Sequence, residues 1–357
     1  MSCVFSLLIF YSCLLVSNSA TIKQNATPLF IFGDSYFDAG NNNYLNTDVN
    51  KANFFPYGET FFKHPTGRYS DGRIIPDFIA GYLNLPLILP YLQPGNQEYT
   101  NGVNFASGGA GALVQTFQGY VIDLTTQLGY FKNVKKKLRK KLGHRVTEAL
   151  LSKAIYLFNI GVNDYAAPPQ TNSTILHHYT NQQYVQIVIG NLTTVVKEIY
   201  KNGGRRFGFS TLVDLGSLPV SRAFEQTNNT PIGFKEVPIQ IQLHNKALPN
   251  ILKDLKKELG GFKYSIFDLY TSTSERINSP FKYGFKDGKS ACCGSGPFRG
   301  IGCGLVEDYE LCENPNDFLF FDGSHPTEHF SNEMSKLMWS GNSKYTSPYN
   351  LKTLLET

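Results

Sequence analysis

The sequence predicts an α/β fold in which a mainly parallel sheet is covered by helices on both faces. Three observations carry this expectation. Apolar runs of strand length recur along the chain, stretches with helical spacing separate them, and the apolar runs end in small or polar residues. Strands alternating with helices imply βαβ units, whose parallel sheet is buried on both sides. With 357 residues, 41% of them hydrophobic and 14% aromatic, the chain can bury a large core, and a charged fraction of 17% argues against disorder. No linker-like, low-complexity or repeated stretch divides it, so residues 21–357 read as one domain.

Residues 1–20, MSCVFSLLIFYSCLLVSNSA, are apolar and then small and polar, the pattern of a secretory signal peptide cleaved after Ser19 or Ala20. This apolar run is too short for a membrane span, and no later one is long enough. Next comes PLFIFGDSYFDAGNNN, in which an apolar strand at 29–32 runs into Gly33-Asp34-Ser35. Further strands are read at 103–106, 154–160, 206–211 and 263–267. Residues 181–204 carry a helical stripe and a Gly-Gly stop. Residues 236–261 read the same way, with Pro249 expected to kink or interrupt the helix.

The formal charge is +5, and much of the excess lies in KNVKKKLRKKLGHR, residues 132–145. Phe131, Val134, Leu138 and Leu142 fall at helical spacing there, giving an amphipathic helix with a basic outer face. It reads as a solvated surface helix, or as a weak contact for anionic lipid head groups or acidic wall polymers. Nucleic acid is not an expected partner of an exported chain.

Cys3 and Cys13 leave with the signal. Cys292, Cys293, Cys303 and Cys312 remain, and four cysteines allow three pairings. Adjacent Cα atoms lie only about 3.8 Å apart, which disfavours a Cys292–Cys293 bridge. Each is therefore expected to bridge to Cys303 or Cys312, and export favours disulfides over a zinc site. Asn25, Asn172, Asn191 and Asn228 each begin an N-x-[ST] glycosylation triplet, with Asn228 the weakest because Pro231 follows it.

Ligands of parallel α/β sheets bind at the carboxyl ends of the strands. Ser35 stands at the first such end, where its hydroxyl needs a general base to become a nucleophile. The second end, GVNFASGGAG, has Gly108 and Gly109 to aim a backbone N–H, with a helix expected after Gly111. It lacks the G-x-G-x-x-G spacing of a dinucleotide loop. The third offers the uncharged amide of Asn163, suited to an oxyanion. The last apolar run, DFLFFDGSHPTEHF, ends in Asp322 and His325, whose three-residue spacing lets a carboxylate hold one ring nitrogen and free the other as a base. Pro326 fits the first turn of a following helix. Singly, each of these reads equally well as a turn or a cap.

His325 to His329 also match H-x-x-E-H, a zinc-protease pattern, but Pro326 puts it at a helix start and no third ligand is evident. The G-x-S-x-G of α/β-hydrolases is absent. His64, His144, His177, His178 and His244 read as loop or helix-surface residues.

Taken together, FGDSYFDAGNNN, PYGETFFKHPTGRYSDGRIIPDFIA, GVNFASGGAGAL, IGVNDY, KYGFKDGKSACCGSGPFRG and YELCENPNDFLFFDGSHPTE resemble the plant GDSL esterase/lipase family, a branch of the SGNH hydrolases, over essentially the whole mature chain. The match is nearest to its secreted, defence-associated members. The resemblance implies a flavodoxin-like three-layer α/β/α sandwich. It implies Ser35 as nucleophile, His325 as base and Asp322 as its orienting group. The implied oxyanion donors are the Ser35 N–H, the N–H of Gly109 (with Gly108 the other choice) and the Asn163 side chain. No metal or organic cofactor is implied. Two departures stand out: Tyr36 replaces the leucine that names the motif, and Ser217 stands where many relatives have a cysteine whose counterpart near residue 232 is also missing.

The implied activity is a secreted carboxylic-ester hydrolase of the apoplast or cell wall, acting on lipid or small acyl esters. Two readings compete with it. An acyltransferase would deliver the same acyl-serine to an alcohol, and a non-catalytic accessory protein would not label at serine.

Overall fold

A computed structural model describes residues 27–47, 50–171, 173 and 178–357 of the chain. The expected signal peptide and two of the glycosylation triplets, at Asn25 and Asn172, lie outside the described residues. The strands of the central sheet are β1 (Leu29–Gly33), β2 (Gly102–Asn104), β3 (Ile155–Asn159), β4 (Arg206–Ser210) and β5 (Lys263–Phe267). Outside this parallel set come β6 (Asp287–Ala291), β7 (Cys293–Gly294), β8 (Glu310–Leu311), β9 (Phe318–Phe320) and β10 (Thr346–Ser347).

The main sheet has the order β10-β5-β4-β3-β1-β2. Its strands are parallel except β10, which pairs antiparallel with β5. The parallel part is therefore 2-1-3-4-5, the flavodoxin-like order, whose direction of winding reverses between β1 and β3.

The two faces of the sheet use different side chains. Phe30, Phe32, Phe105, Tyr156, Phe158, Phe207 and Phe209 point to one face and stack across the strands, with Phe32–Phe158 at 4.9 Å and Phe158–Phe209 at 5.2 Å between ring centroids. Over them pack α2 (Leu124–Leu142), α3 (His144–Lys153), α5 (Asn181–Lys201) and α7 (Val237–Glu258). Leu29, Ile31, Ile155 and Leu157 point to the other face. They meet α1 (Ile75–Tyr82), α8 (Leu269–Asn278), α9 (Glu328–Ser340) and α10 (Leu351–Glu356). This alternation along each strand produces the α/β/α sandwich. The shorter α4 (Val162–Gln170) and α6 (Pro219–Gln226) follow β3 and β4.

Several expectations need correction. No helix begins after Gly111; turns fill 113–121, and α2 starts at Leu124 with Asp123 as its cap. The basic stretch is two helices, because Gly143 with φ 80° ends α2 and begins α3. Its basic residues are partly paired: Lys132 to Glu198, Arg139 to Glu148 and Lys141 to Glu98, while Lys135 is buried and donates to the Asn202 carbonyl. α7 passes through Pro249 without interruption. Pro249 is exposed, so the missing hydrogen bond falls on the solvent side while Ile241, Leu248, Leu252 and Leu255 hold the buried face. The last apolar run does not join the main sheet. β9 pairs with β6 in a separate two-stranded sheet.

Cys292 bridges to Cys312 and Cys293 to Cys303, each within the pairings the sequence left open. They tie the segment around β7 and β8 beneath Phe321, the residue preceding Asp322.

Phe158 sits at the centre of the aromatic face and is 1% exposed. Phe158→Ala is expected to cost about 3–5 kcal/mol, read by denaturant unfolding with the disulfides intact.

Candidate active site

The reversal between β1 and β3 puts three loop ends side by side. Gly33 closes β1 against β3 so tightly that a Cβ there would stand 2.3 Å from the Asn159 carbonyl oxygen. Its N–H and C=O both pair with the buried side-chain amide of Gln127 on α2, at 2.9 Å each. The strand therefore stops at Gly33. The chain turns sharply, with Phe37 and Asp38 donating to the Asp34 carbonyl, and Ser35 lies in this turn.

His325 reaches Ser35 from outside the sheet. Its Nε2 lies 2.9 Å from Ser35 Oγ, across 290 residues of sequence. Its Nδ1 lies 2.9 Å from both oxygens of Asp322. Asp322 also accepts the backbone N–H groups of Ser324 at 2.7 Å and His325 at 2.8 Å through Oδ1. Asp322 is buried, which alone would raise its pKa; the charge of His325 and the bonds from His325, Tyr57 and Ser324 outweigh burial and hold it below its ordinary value.

The segment carrying His325 is tied down from several sides. Ser70 Oγ donates to the Pro326 carbonyl at 3.0 Å, and Asp71 accepts the first N–H of α9, from Glu328, at 2.7 Å. Tyr36 OH donates to the Ser324 carbonyl at 3.1 Å. Pro326 is not in the first turn of the helix as expected; α9 begins at Glu328 with Thr327 as its N-cap, and Pro326 bridges back to Phe320.

The two other expected donors lie at the ends of β2 and β3. Ala110 N–H donates to the Ser107 carbonyl across Gly108 and Gly109, and Gly109 has φ +82°. This is the backbone of a type II turn, which demands a positive φ at its third residue. The Gly108 N–H is occupied by Asp38 Oδ2 at 3.0 Å. Among the described residues, the N–H groups of Gly109 and Ser35 have no hydrogen-bond acceptor. Asn163, in the first turn of α4, spends one amide hydrogen on the Ala110 carbonyl at 2.9 Å and keeps the other.

Sequence reasoning missed the polar side chains that shape these loops. Asp38 accepts the N–H groups of Gly40, Asn41 and Gly108. Asn41 donates to the carbonyls of Asn104 and Ala106, and Asn42 to those of Asn50 and Gly108. Asp164 accepts from Ala112 N–H, Leu113 N–H and Thr116 Oγ1. The run Asp-Ala-Gly-Asn-Asn-Asn beside a buried strand was the available signal. His244 was also misplaced: it is buried on α7, its Nδ1 2.9 Å from Tyr165 OH, and burial pushes its pKa down to about 3. It shares the stripe of Ile241 and Leu248, which the spacing could have revealed. His329 is half-buried, with Nδ1 2.8 Å from the Asn316 carbonyl and its ring against Phe285. Among the described residues no group of three His, Cys, Asp or Glu is placed to hold a metal ion.

A cavity of about 500 Å³ opens over Ser35 and His325. Val162, Val213, Leu218, Val220, Phe224 and Phe234 form its apolar wall, and among the described residues no Asp, Glu, Lys or Arg lines it. Tyr36 lines it too. The loop bearing Ser217 is held by Ser217 Oγ donating to Asp214 and Val220 N–H donating to the Gly323 carbonyl.

The profile of the GDSL-like lipase/acylhydrolase family matches residues 29–338. The chain belongs to this family. Among similar GDSL proteins are GDSL esterase/lipase 1 of Arabidopsis thaliana, 52% identical with 94% of this chain and 91% of the relative covered, and a GDSL lipase of Tanacetum cinerariifolium, 49% identical over 96% and 92%. This GDSL chain places the serine of that motif, Ser35, two residues after the end of β1.

The GDSL turn carries an unusual electrostatic load. Burial raises Asp34 to about 8 and Asp38 and Asp164 to about 6, and Asp34 Oδ2 has no partner. An acid whose folded pKa is raised stabilises the fold fully below its ordinary value of 3.8, and this contribution is lost as pH rises through the folded value. Stability should therefore fall from about pH 4 upward, through Asp34, Asp38 and Asp164 up to about 6 and through Asp34 alone up to about 8, by up to about 1.4 kcal/mol per pH unit for each proton. Asp34→Asn is expected to flatten that slope in denaturant unfolding; an unchanged slope would show that Asp34 is ionised in the folded chain.

Proposed function

We propose that this carboxylic-ester hydrolase works through an acyl-serine intermediate at Ser35. The observation that carries the proposal is the unbroken hydrogen-bonded line from Ser35 Oγ through His325 to Asp322. His325 Nε2 takes the hydroxyl proton as Oγ attacks the ester carbonyl. Asp322 keeps the other proton on Nδ1 and offsets the imidazolium charge. The Ser35 and Gly109 N–H groups and the free hydrogen of the Asn163 amide receive the developing oxyanion. His325 then gives its proton to the departing alcohol, and a water activated the same way releases the acid.

The cavity supports a neutral acyl ester as substrate, of a lipid or a small molecule. Among the described residues, its wall has no cation to pair with a charged acyl group and no anion to repel one selectively. Export to the apoplast or cell wall agrees with the signal-like start and with two disulfides. Of the described glycosylation triplets, Asn228 is exposed in a turn, whereas Asn191 lies half-buried on α5 and donates to the Ile187 carbonyl. Asn228 is thus the better presented, despite Pro231.

Two outcomes are expected on an ester panel from short nitrophenyl acyls to triacylglycerol and phospholipid. Ser35→Ala should fold as the wild type and lose about 10⁴–10⁶ in kcat. Asn163→Ala should lose about 10²–10³ in kcat with KM changed little. Retained turnover in Ser35→Ala would remove Ser35 from the chemistry.

A further inference from the structure

Tyr57 belongs to the stretch Phe54 to Gly58, far from the strand ends. Its hydroxyl nevertheless donates to Asp322 Oδ2 at 2.6 Å, with both side chains buried. That distance is typical of an O–H bonded to a carboxylate. The two oxygens of Asp322 are therefore loaded separately: Oδ1 by the N–H groups of Ser324 and His325, Oδ2 by Tyr57. The phenol is held in place by its neighbours. Its ring meets Phe54 at 5.2 Å, Phe321 at 5.5 Å and Tyr69 at 6.4 Å, all edge-on. Tyr69 in turn covers the imidazole of His325, ring centroids 4.8 Å apart. Packing alone would be met by phenylalanine, so the hydroxyl needs another explanation.

We propose that Tyr57 is a positioning residue that fixes Asp322 and, through it, sets the proton affinity of His325. This rests on the acyl-serine reading above. The bond stops the carboxylate from turning away from Nδ1. It also draws charge toward the phenol, so the imidazolium is stabilised less than by a bare carboxylate. Without the phenol, His325 holds its proton more tightly, and the acid limb of the rate profile moves up.

The titratable groups facing this pair are Tyr36 from the turn after β1, Tyr57 and Tyr69 from the segment before α1, and Asp34 and Asp38 behind them. Burial, with the nearby carboxylates, pushes all three tyrosines up, so they stay neutral across the working range. Asp34 and Asp38 are common to wild type and variant and cancel in the comparison.

The test measures kcat, KM and the pH profile of kcat/KM for the full chain on a short nitrophenyl ester, with melting temperature in parallel. Tyr57→Phe should lower kcat about 10- to 100-fold, change KM less than about threefold, and raise the acid limb by about half to one pH unit. Phe54→Leu, which loosens the same ring packing, should lower the melting temperature and leave the limb in place. Tyr57→3-fluorotyrosine keeps the shape and sharpens the donor, so the limb should move down; it decides the matter if Tyr57→Phe does not fold. An unmoved limb in Tyr57→Phe or in the fluorinated chain, or an equal shift in Phe54→Leu, overturns the proposal. Full turnover in Ser35→Ala would instead overturn the acyl-serine reading beneath it.

Discussion

One imidazole holds this architecture to its purpose. In the proposed mechanism His325 has to touch Ser35 with one nitrogen and Asp322 with the other, yet the serine follows β1 of the central sheet and the His–Asp pair lies off that sheet. The sheet alone brings together Ser35, Gly109 and Asn163, because β1, β2 and β3 are neighbours and all three segments follow their carboxyl ends. The fourth segment has no such guarantee. Separate contacts supply it: Ser70 to Pro326, Asp71 to the start of α9, Tyr36 to Ser324, Val220 to Gly323, and the disulfide-tied segment beneath Phe321. A contact of 2.9 Å between such distant residues tolerates little play, which accounts for the number of anchors.

The anchors are polar and mostly buried, an expensive choice for a core otherwise rich in phenylalanine. A carboxylate can accept several backbone N–H groups at once, so Asp38 and Asp164 each pin loops that no apolar side chain could orient. Their raised pKa values record what that burial costs. In the proposed mechanism the gain is a set of backbone donors held in place before a substrate arrives, which is how electrostatic stabilisation of an oxyanion becomes effective. Asp34, with one oxygen lacking a partner, carries the cost most openly.

Much of the fold was legible because burial on both faces writes each strand as a continuous apolar run. The strand at 263–267 was read to its exact limits and the others to within two residues, and Ser35 after β1 and Asn163 after β3 line the same cavity. Elements depending on distant contacts were not legible. β9 looks like a sixth core strand, yet it is three residues long and pairs with β6 instead. Pro326 looks like a helix start, but the bridge to Phe320 pulls it back and Thr327 takes the cap. Pro249 breaks a helix only where its lost bond cannot be hydrated, and here it faces solvent. Tyr57 and Asp164 carry no local pattern, since each is defined by a partner elsewhere in the chain.

In the proposed mechanism His325 raises the reactivity of the Ser35 hydroxyl. The most direct measurement is the site and rate of covalent modification by a fluorophosphonate, followed by intact mass and peptide mapping, for the wild type and His325→Ala. A single adduct is expected on the peptide carrying Ser35, with a rate that falls by orders of magnitude when the imidazole is removed. An adduct elsewhere, or equal labelling of Ser35 without His325, would contradict it.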